Sequence, residues 1–347
     1  MAKLDIVANA ARMVAPGKGI LAADESTGTI EKRLSGIDVP STEANRRDYR
    51  QLLFTTPGAE AHISGVILFD ETLRQAGGDG VQFAKLLWDK GILPGIKVDA
   101  GAKDLAGSPG EKVTEGLDGL RERLAEYVGL GAAFTKWRAV IEIGAGLPSQ
   151  ACLQANAHAL ARYAALSQEA GLVPIVEPEV LMDGDHDMDR CADVTEAALQ
   201  LTFQELFKQN VLLEGMILKP NMVLAGKSCA QQNSVEEVAA RTVEVLGRQV
   251  PAAVPGIAFL SGGQSEQEAT AHLNAMNQLG NSLGPKLDPL PWQLSFSYGR
   301  ALQASALQAW RGRADNVEAA QAAFAHRAKM NGLARGGAYD AKMEQEI

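Results

Sequence analysis

Short apolar runs alternate with helical stretches along this whole chain. That rhythm restricts the available folds more than any other feature. Eight runs stand out: GILAAD (19–24), ISGVILFD (63–70), GIKVD (95–99), FTKWRAVIEI (134–143), LVPIVEPEV (172–180), MILKPNMV (216–223), GIAFLSGG (256–263) and WQLSFSYG (292–299). They begin roughly 30 to 45 residues apart, the length of a strand–helix unit with generous loops. Between them lie helical patterns. PSQACLQANAHALARYAALSQEAG (148–171) ends on a glycine suited to a helix stop. Ser234 with Glu237, and Ser265 with Glu268, have the spacing of capping boxes.

Strands that are apolar throughout, alternating with helices, imply a parallel sheet covered on both faces. Eight such units predict an α/β fold closed into a single (β/α)8 barrel spanning residues 1–347. Residues 1–18 and about 300–347 read as extra helices, with 336–347 a flexible tail. The competing fold is an open doubly wound sheet. That fold usually carries a glycine fingerprint after its first strand, and GILAADESTG has none.

Charge and cysteine content narrow the function classes. A net charge of −9 and a pI near 5.2 give no basic face for nucleic acid. No 18-residue apolar run offers a membrane span. Cys152, Cys191 and Cys229 are few, odd in number and widely spaced, as in a protein of a reducing compartment. The opening stretch MAKLDIVANAARMVAPGKG lacks the apolar core of a signal peptide, so a cytoplasmic location is expected.

In such a barrel the active site lies at the carboxyl ends of the strands. Those ends carry Asp24, Lys97 with Asp99, Lys136 with Arg138, Glu177 with Glu179, Lys219, Ser261 with Gly262, and Gly299 with Arg300. Strand side chains alternate faces with period two. Lys97 and Asp99 therefore share a face, as do Lys136 and Arg138, Glu177 and Glu179, and Ile217 and Lys219. If that face is the lumen, lysines and carboxylates converge on one mouth. Roughly one free lysine in a few thousand is neutral at pH 7. Burial and neighbouring cations raise that fraction and supply an amine able to attack a ketone. Lys219 fits this role, and Glu177 and Asp24 could move the protons that imine chemistry requires.

FLSGGQSEQE and FSYGRALQAS each end a strand in glycine and open a helix. Backbone N–H groups at a helix start suit a phosphate, and loops after strands seven and eight often hold one. Other motifs fail. LAGKSC lacks the upstream glycine of a P-loop, GAGLPS departs from a dinucleotide fingerprint at Ser149, and DGDHDMDR has Met188 and Val194 where a calcium loop needs glycine and glutamate. The last reads as a solvated loop with helix-capping acids. His158, His272 and His326 read as structural. No metal-ligand spacing is present, which favours imine over metal-assisted chemistry.

GKGILAADESTG, GVILFDETL, GIKVD, KWRAV, VPIVEPEV, LKPNMV, FLSGGQSE and FSYGRALQASAL together resemble the class I fructose-1,6-bisphosphate aldolases, in family order from about residue 10 to 335. The resemblance implies Lys219 as the Schiff-base lysine and Glu177 as the acid/base at the carbinolamine hydroxyl. It implies Asp24 at the C4 hydroxyl, Lys136 orienting substrate, and Glu179 beside Lys136 and Lys219. Ser261, Gly262, Gly299 and Arg300 match the C1-phosphate site. Ser26, Thr29 and Lys97 match contacts to the C6-phosphate, and Arg33 a further arginine near that end. Trp137 and Arg138 match the neighbours of Lys136. Phosphorylated sugars are then the substrates, with no cofactor or metal, in a cytosolic homotetramer.

The chain also departs from the animal members. Thr29 replaces a serine, NQLGNSLGPKLDPLPW is longer, and the last tyrosine is Tyr339 rather than a terminal one. Slower or differently managed enamine protonation is expected. Cleavage of sedoheptulose 1,7-bisphosphate, a transaldolase-like transfer and a non-catalytic scaffold are the alternatives. Two phosphate sites argue against the transfer, and the full charged set argues against the scaffold.

Overall fold

In a computed structural model of the chain, residues 5–282 and 290–345 are described. The barrel strands are β1 (Gly19–Ala23), β2 (Ile63–Leu68), β3 (Leu93–Lys97), β6 (Phe134–Ile141), β7 (Val173–Val180), β8 (Ile217–Leu218), β9 (Gly256–Phe259) and β10 (Gln293–Tyr298). Each coincides with one of the eight apolar runs. They pair in parallel with their chain neighbours, and β10 closes on β1. The closed α/β barrel expected from the rhythm is therefore present. A two-stranded antiparallel hairpin, β4 (Ala102–Asp104) and β5 (Lys112–Thr114), stands outside it.

Two apolar layers hold the barrel. Outward side chains such as Trp137 pack on the surrounding helices, where Trp137 stacks on Tyr163 with centroids 5.5 Å apart. Inward side chains fill the lower lumen: Ile20, Ile67, Leu93, Phe134, Ile175, Ile217 and Ala258. The Phe134 ring occupies so much of this space that a Cβ on Gly95, on the adjacent strand, would overlap it. The helix Ile6–Met13 stops the lumen from below with Ala10 and Met13, aided by Val14. Ser64 Oγ donates to the Met13 carbonyl at 2.6 Å and fixes this plug.

The sequence run MILKPNMV is longer than the observed strand, because the backbone changes partners at Pro220. Lys219 N still donates to Val176 O at 2.8 Å, but Pro220 has no N–H to offer. Asn221 takes over with its side chain. Its Oδ1 accepts from Val180 N at 3.1 Å, and its Nδ2 donates to Thr195 Oγ1 at 3.1 Å. The sequence Lys-Pro-Asn thus places an amine in the lumen, ends one ladder, and caps the neighbouring strand.

Both expected capping boxes are formed, at Ser234 with Glu237 and at Ser265 with Glu268. In DGDHDMDR, Asp187 accepts from Arg190 N at 2.8 Å and caps the helix Met188–Lys208. His158 pairs with Glu205, His272 with Gln264 and His326 with Glu344. Residues 283–289, within the long segment before β10, lie outside the described residues. Residues 336–345, part of the stretch for which the sequence predicts a flexible tail, pack onto the body. Tyr339 OH donates to Glu344 Oε1 at 2.9 Å, and Arg327 donates to both Glu344 oxygens at 2.8 and 2.7 Å.

Candidate active site

The carboxyl ends of the strands open into a cavity of about 650 Å³. On three strands, β6, β7 and β8, period-two alternation carries the lumen face from an apolar to a charged side chain in one step. Ile217 gives way to Lys219, Ile175 to Glu177, and Phe134 to Lys136. Asp24, Lys97, Lys136, Arg138, Glu177, Glu179 and Lys219 all line the cavity. Ser26, Thr29, Arg33, Ser261, Gly262, Gly299 and Arg300 line it too. These residues are therefore brought to one place, whereas Trp137, also drawn from the sequence as a neighbour of Lys136, faces outward onto Tyr163.

The centre is a chain of ion pairs. Lys136 Nζ lies 3.0 Å from Asp24 Oδ2 and 2.9 Å from Glu177 Oε2. Lys219 Nζ lies 3.2 Å from the other Glu177 oxygen. Lys136, Glu177 and Lys219 are all buried. One carboxylate is thus shared between two amines, and the two amines fare differently. Burial is the largest influence on Lys219 and pushes its amine below the ordinary lysine value; Glu177 pulls it back, while the charge of Lys136 adds to the downward push. Burial also works against the charge on Lys136, but Asp24, Glu177 and Asp99 outweigh it and hold that amine above the ordinary value. Burial would raise Asp24 and Glu177. Lys136 and Lys219 prevail, and both carboxyls sit below the usual range. The arrangement therefore contains one secured cation, one amine biased towards neutrality, and two carboxylates.

Around this centre the walls are polar. Lys97 Nζ contacts Asp99 Oδ1 at 2.9 Å, and Asp99 Oδ2 accepts from Arg138 N at 3.3 Å. The Glu179 carboxylate, expected beside Lys136 and Lys219, is taken by the Arg138 guanidinium. On one side, Ser26 and Thr29 hydroxyls lie 3.2 Å apart at the start of the helix Thr27–Ser35. On the other, Gly262 turns the chain with φ of 54°, and its carbonyl accepts from Arg300 at 2.9 Å. The helix Arg300–Trp310 begins there, at Gly299, without a side-chain cap. Its first N–H groups are the kind of donors that suit an anion.

Sequence reasoning missed Glu25 and Lys32, which also line the cavity. Glu25 follows Asp24 beyond the end of β1, where strand alternation no longer assigns a face. Among the described residues, no cluster of three or more His, Cys, Asp or Glu is poised for a metal ion. No helix among them is long and apolar enough to cross a membrane.

A family model for the glycolytic class-I fructose-bisphosphate aldolases matches residues 5–347. The chain belongs to the class-I fructose-bisphosphate aldolase family. Relatives of this aldolase are found in bacteria and plants. It is 62% identical over 323 residues to the "Probable fructose-bisphosphate aldolase class 1" of Xanthomonas campestris, covering 93% of this chain and 94% of that one. It is 56% identical over 341 residues to "Fructose-bisphosphate aldolase 6, cytosolic" of Arabidopsis thaliana, covering 98% and 93%. Its fold matches the crystal structure of the Plasmodium falciparum fructose-bisphosphate aldolase, solved with TRAP and an inhibitor. The TM-score is 0.93 at 48% identity, covering 97% of this chain and 95% of that one.

Proposed function

We propose that this class-I aldolase reversibly cleaves fructose 1,6-bisphosphate into dihydroxyacetone phosphate and glyceraldehyde 3-phosphate through an imine on Lys219. The observation that carries the reading is the buried Lys219 amine, 3.2 Å from Glu177 and biased towards its neutral form. The neutral amine attacks the C2 ketone. Two protons must reach the former ketone oxygen before it leaves as water: the one the Lys219 ammonium gave up to become neutral and the surplus one on the attacking nitrogen, and Glu177 takes up and hands on each in turn. The resulting iminium draws the electrons of the C3–C4 bond. Asp24, held anionic, takes the C4 hydroxyl proton as that oxygen becomes the aldehyde carbonyl. Lys136, between Asp24 and Glu177, remains charged through these transfers and steadies the developing negative charge. A proton delivered to C3 of the enamine and hydrolysis of the imine release the second product.

The two polar walls suit the two phosphates. Ser261, Gly262, Gly299 and Arg300 face the C1 end, and Ser26, Thr29 and Lys97 the C6 end; Arg33, expected near the C6 end, instead reaches to 3.6 Å from where a Cβ on Gly299 would lie, beside the C1 group. Sedoheptulose 1,7-bisphosphate presents the same two ends, and a cavity of about 650 Å³ leaves room for one more carbon. Comparing kcat/KM on the two sugars separates these substrates.

Borohydride reduction in the presence of dihydroxyacetone phosphate tests the mechanism. A stable adduct on Lys219 is expected, with activity retained in excess EDTA; absence of the adduct sinks the imine reading. Family likeness extends the proposal to a cytoplasmic homotetramer. Light scattering should then give four times the 36.8 kDa chain mass.

A further inference from the structure

Glu25 sits in the cavity wall, 7% exposed, and carries two guanidinium groups. Arg33 contacts Oε1 from the cleft side, with 23% of its side chain exposed. Arg50 Nη2 lies 2.5 Å from Oε2 from the protein side. Gln303 completes the cradle, donating to Glu25 Oε1 at 3.1 Å and to the Ala22 carbonyl of β1 at 2.8 Å. Tyr49 OH in turn holds the Gln303 amide oxygen at 3.1 Å. The Arg33 guanidinium reaches the start of the last barrel helix, with Nη2 3.6 Å from where a Cβ on Gly299 would lie.

Arg50 is 2% exposed and does not line the cavity. Burying a guanidinium costs several kcal/mol, and a buried ion pair kept for stability alone is often no better than an apolar contact. Its formal charge has a consequence at the cleft. One carboxylate between two guanidiniums leaves a net positive charge, and only Arg33 is placed to present it to a ligand. Without Arg50, Arg33 and Glu25 would form a neutral pair on a less firmly held anchor.

We propose that Arg50, acting through Glu25, is a positioning residue that holds Arg33 against the cleft wall and keeps it electropositive towards a substrate phosphate. This rests on the reading of the cleft as a sugar-bisphosphate site. The test is steady-state kinetics with fructose 1,6-bisphosphate on Arg50→Met, Arg50→Lys, Arg33→Met and the Arg33→Met/Arg50→Met double variant. Arg50→Met should raise KM about tenfold with kcat within about threefold, the signature of lost binding rather than lost chemistry. Arg50→Lys should recover part of the loss, since it restores charge without the two-pronged geometry. In the Arg33→Met background, removing Arg50 should change kcat/KM by less than about twofold, because coupled residues are not additive.

An unchanged KM in a folded Arg50→Met protein, or full additivity in the double variant, overturns the proposal. If Arg50→Met does not fold, Glu25→Gln replaces it. That variant keeps the shape of the anchor, loses its charge, and should show the same KM effect; an unchanged KM again overturns the proposal. Adduct formation with dihydroxyacetone phosphate is measured alongside. A wild-type protein that neither traps nor cleaves overturns the functional reading itself. A wild-type protein that does both, with an indifferent Arg50 variant, overturns only the role of Arg50.

Discussion

The lower and upper halves of the lumen are built from the same strands and behave as different solvents. Below lie Ile20, Leu93, Phe134, Ile175 and Ile217, closed by Met13. Above lie Asp24, Lys97, Lys136, Glu177 and Lys219. A step of two positions along the strand takes Ile217 to Lys219, and the same step takes Ile175 to Glu177. The lower half withholds water and the upper half distributes charge. Lys219 lies at the boundary, with apolar packing beneath it and a carboxylate beside it. Lys136, one strand beyond β7, is gripped by two carboxylates and stays a cation. The contrast shows that ion-pair geometry, more than burial, separates two buried lysines in one pocket.

The sharpest way to break this comparison is Lys219→Met. Adduct formation should vanish and kcat fall about 10⁴-fold or more, as expected for loss of a covalent nucleophile. The melting temperature should hold or rise, because a desolvated amine is replaced by an apolar side chain while Glu177 keeps its contact with Lys136. Lys136→Met comes next, with kcat down about 10²- to 10³-fold. It removes the cation that depresses Asp24 and Glu177, so both carboxyl values rise. The acid limb of the pH–rate profile should then move to higher pH, and a limb that stays in place would count against the assigned roles.

In the wild-type protein both carboxyls sit below their ordinary values of 3.8 and 4.5. Their contribution to stability is present above those values and is lost as pH falls through the depressed ones. Urea midpoints should therefore drop on acidification below about pH 4, and drop less in Lys136→Met.

Two changes below the boundary ask whether the floor supports chemistry as well as fold. Phe134→Ala should cost about 3–5 kcal/mol in urea unfolding and leave the Lys219 adduct intact at low temperature. Ile217→Thr brings a hydroxyl under Lys219 and should move its amine back towards the ordinary value. A loss of about three- to tenfold in kcat at pH 7, recovering as pH rises, is expected from the smaller neutral fraction. A loss that persists at high pH would break the link between floor and amine. The smallest effect is expected outside the barrel. Deleting residues 340–347 removes the Glu344 bonds to Arg327 and Tyr339 and should cost about 1–2 kcal/mol. Imine trapping should survive; unchanged proton exchange on the enamine would exclude the tail from that step.

The sequence exposed the barrel because strands buried on both faces leave unbroken apolar runs. It exposed the charged mouth because period two makes Ile217 and Lys219 share a face whatever surrounds them. The lysine proposed to react did not follow from spacing, which allowed three lysines at the mouth. The family resemblance distinguished Lys219, and the shared carboxylate supplies a physical reason. Glu25 escaped notice because its partners lie on Arg33, Arg50 and Gln303, and only the closed fold brings β1, two helices and the last barrel helix together. The β4–β5 hairpin escaped because its strands are short and polar, so no apolar run marks them. Asn221 read as part of a strand, whereas its side chain stands in for backbone that Pro220 cannot supply.

The plug beneath the lumen has a consequence for traffic. Ser64 and Arg335 each hold its carbonyls, those of Met13 and Val14. A vessel stoppered at one end has a single doorway, and molecules within it must queue. Under the proposed cleavage, the fragment bonded to Lys219 sits at the back of the line. The free aldehyde carries no bond to the protein, so the aldehyde departs first. In the reverse direction it arrives last. The plug leaves both fragments the same route, through the mouth of the barrel, and the bond to Lys219 decides which takes it first.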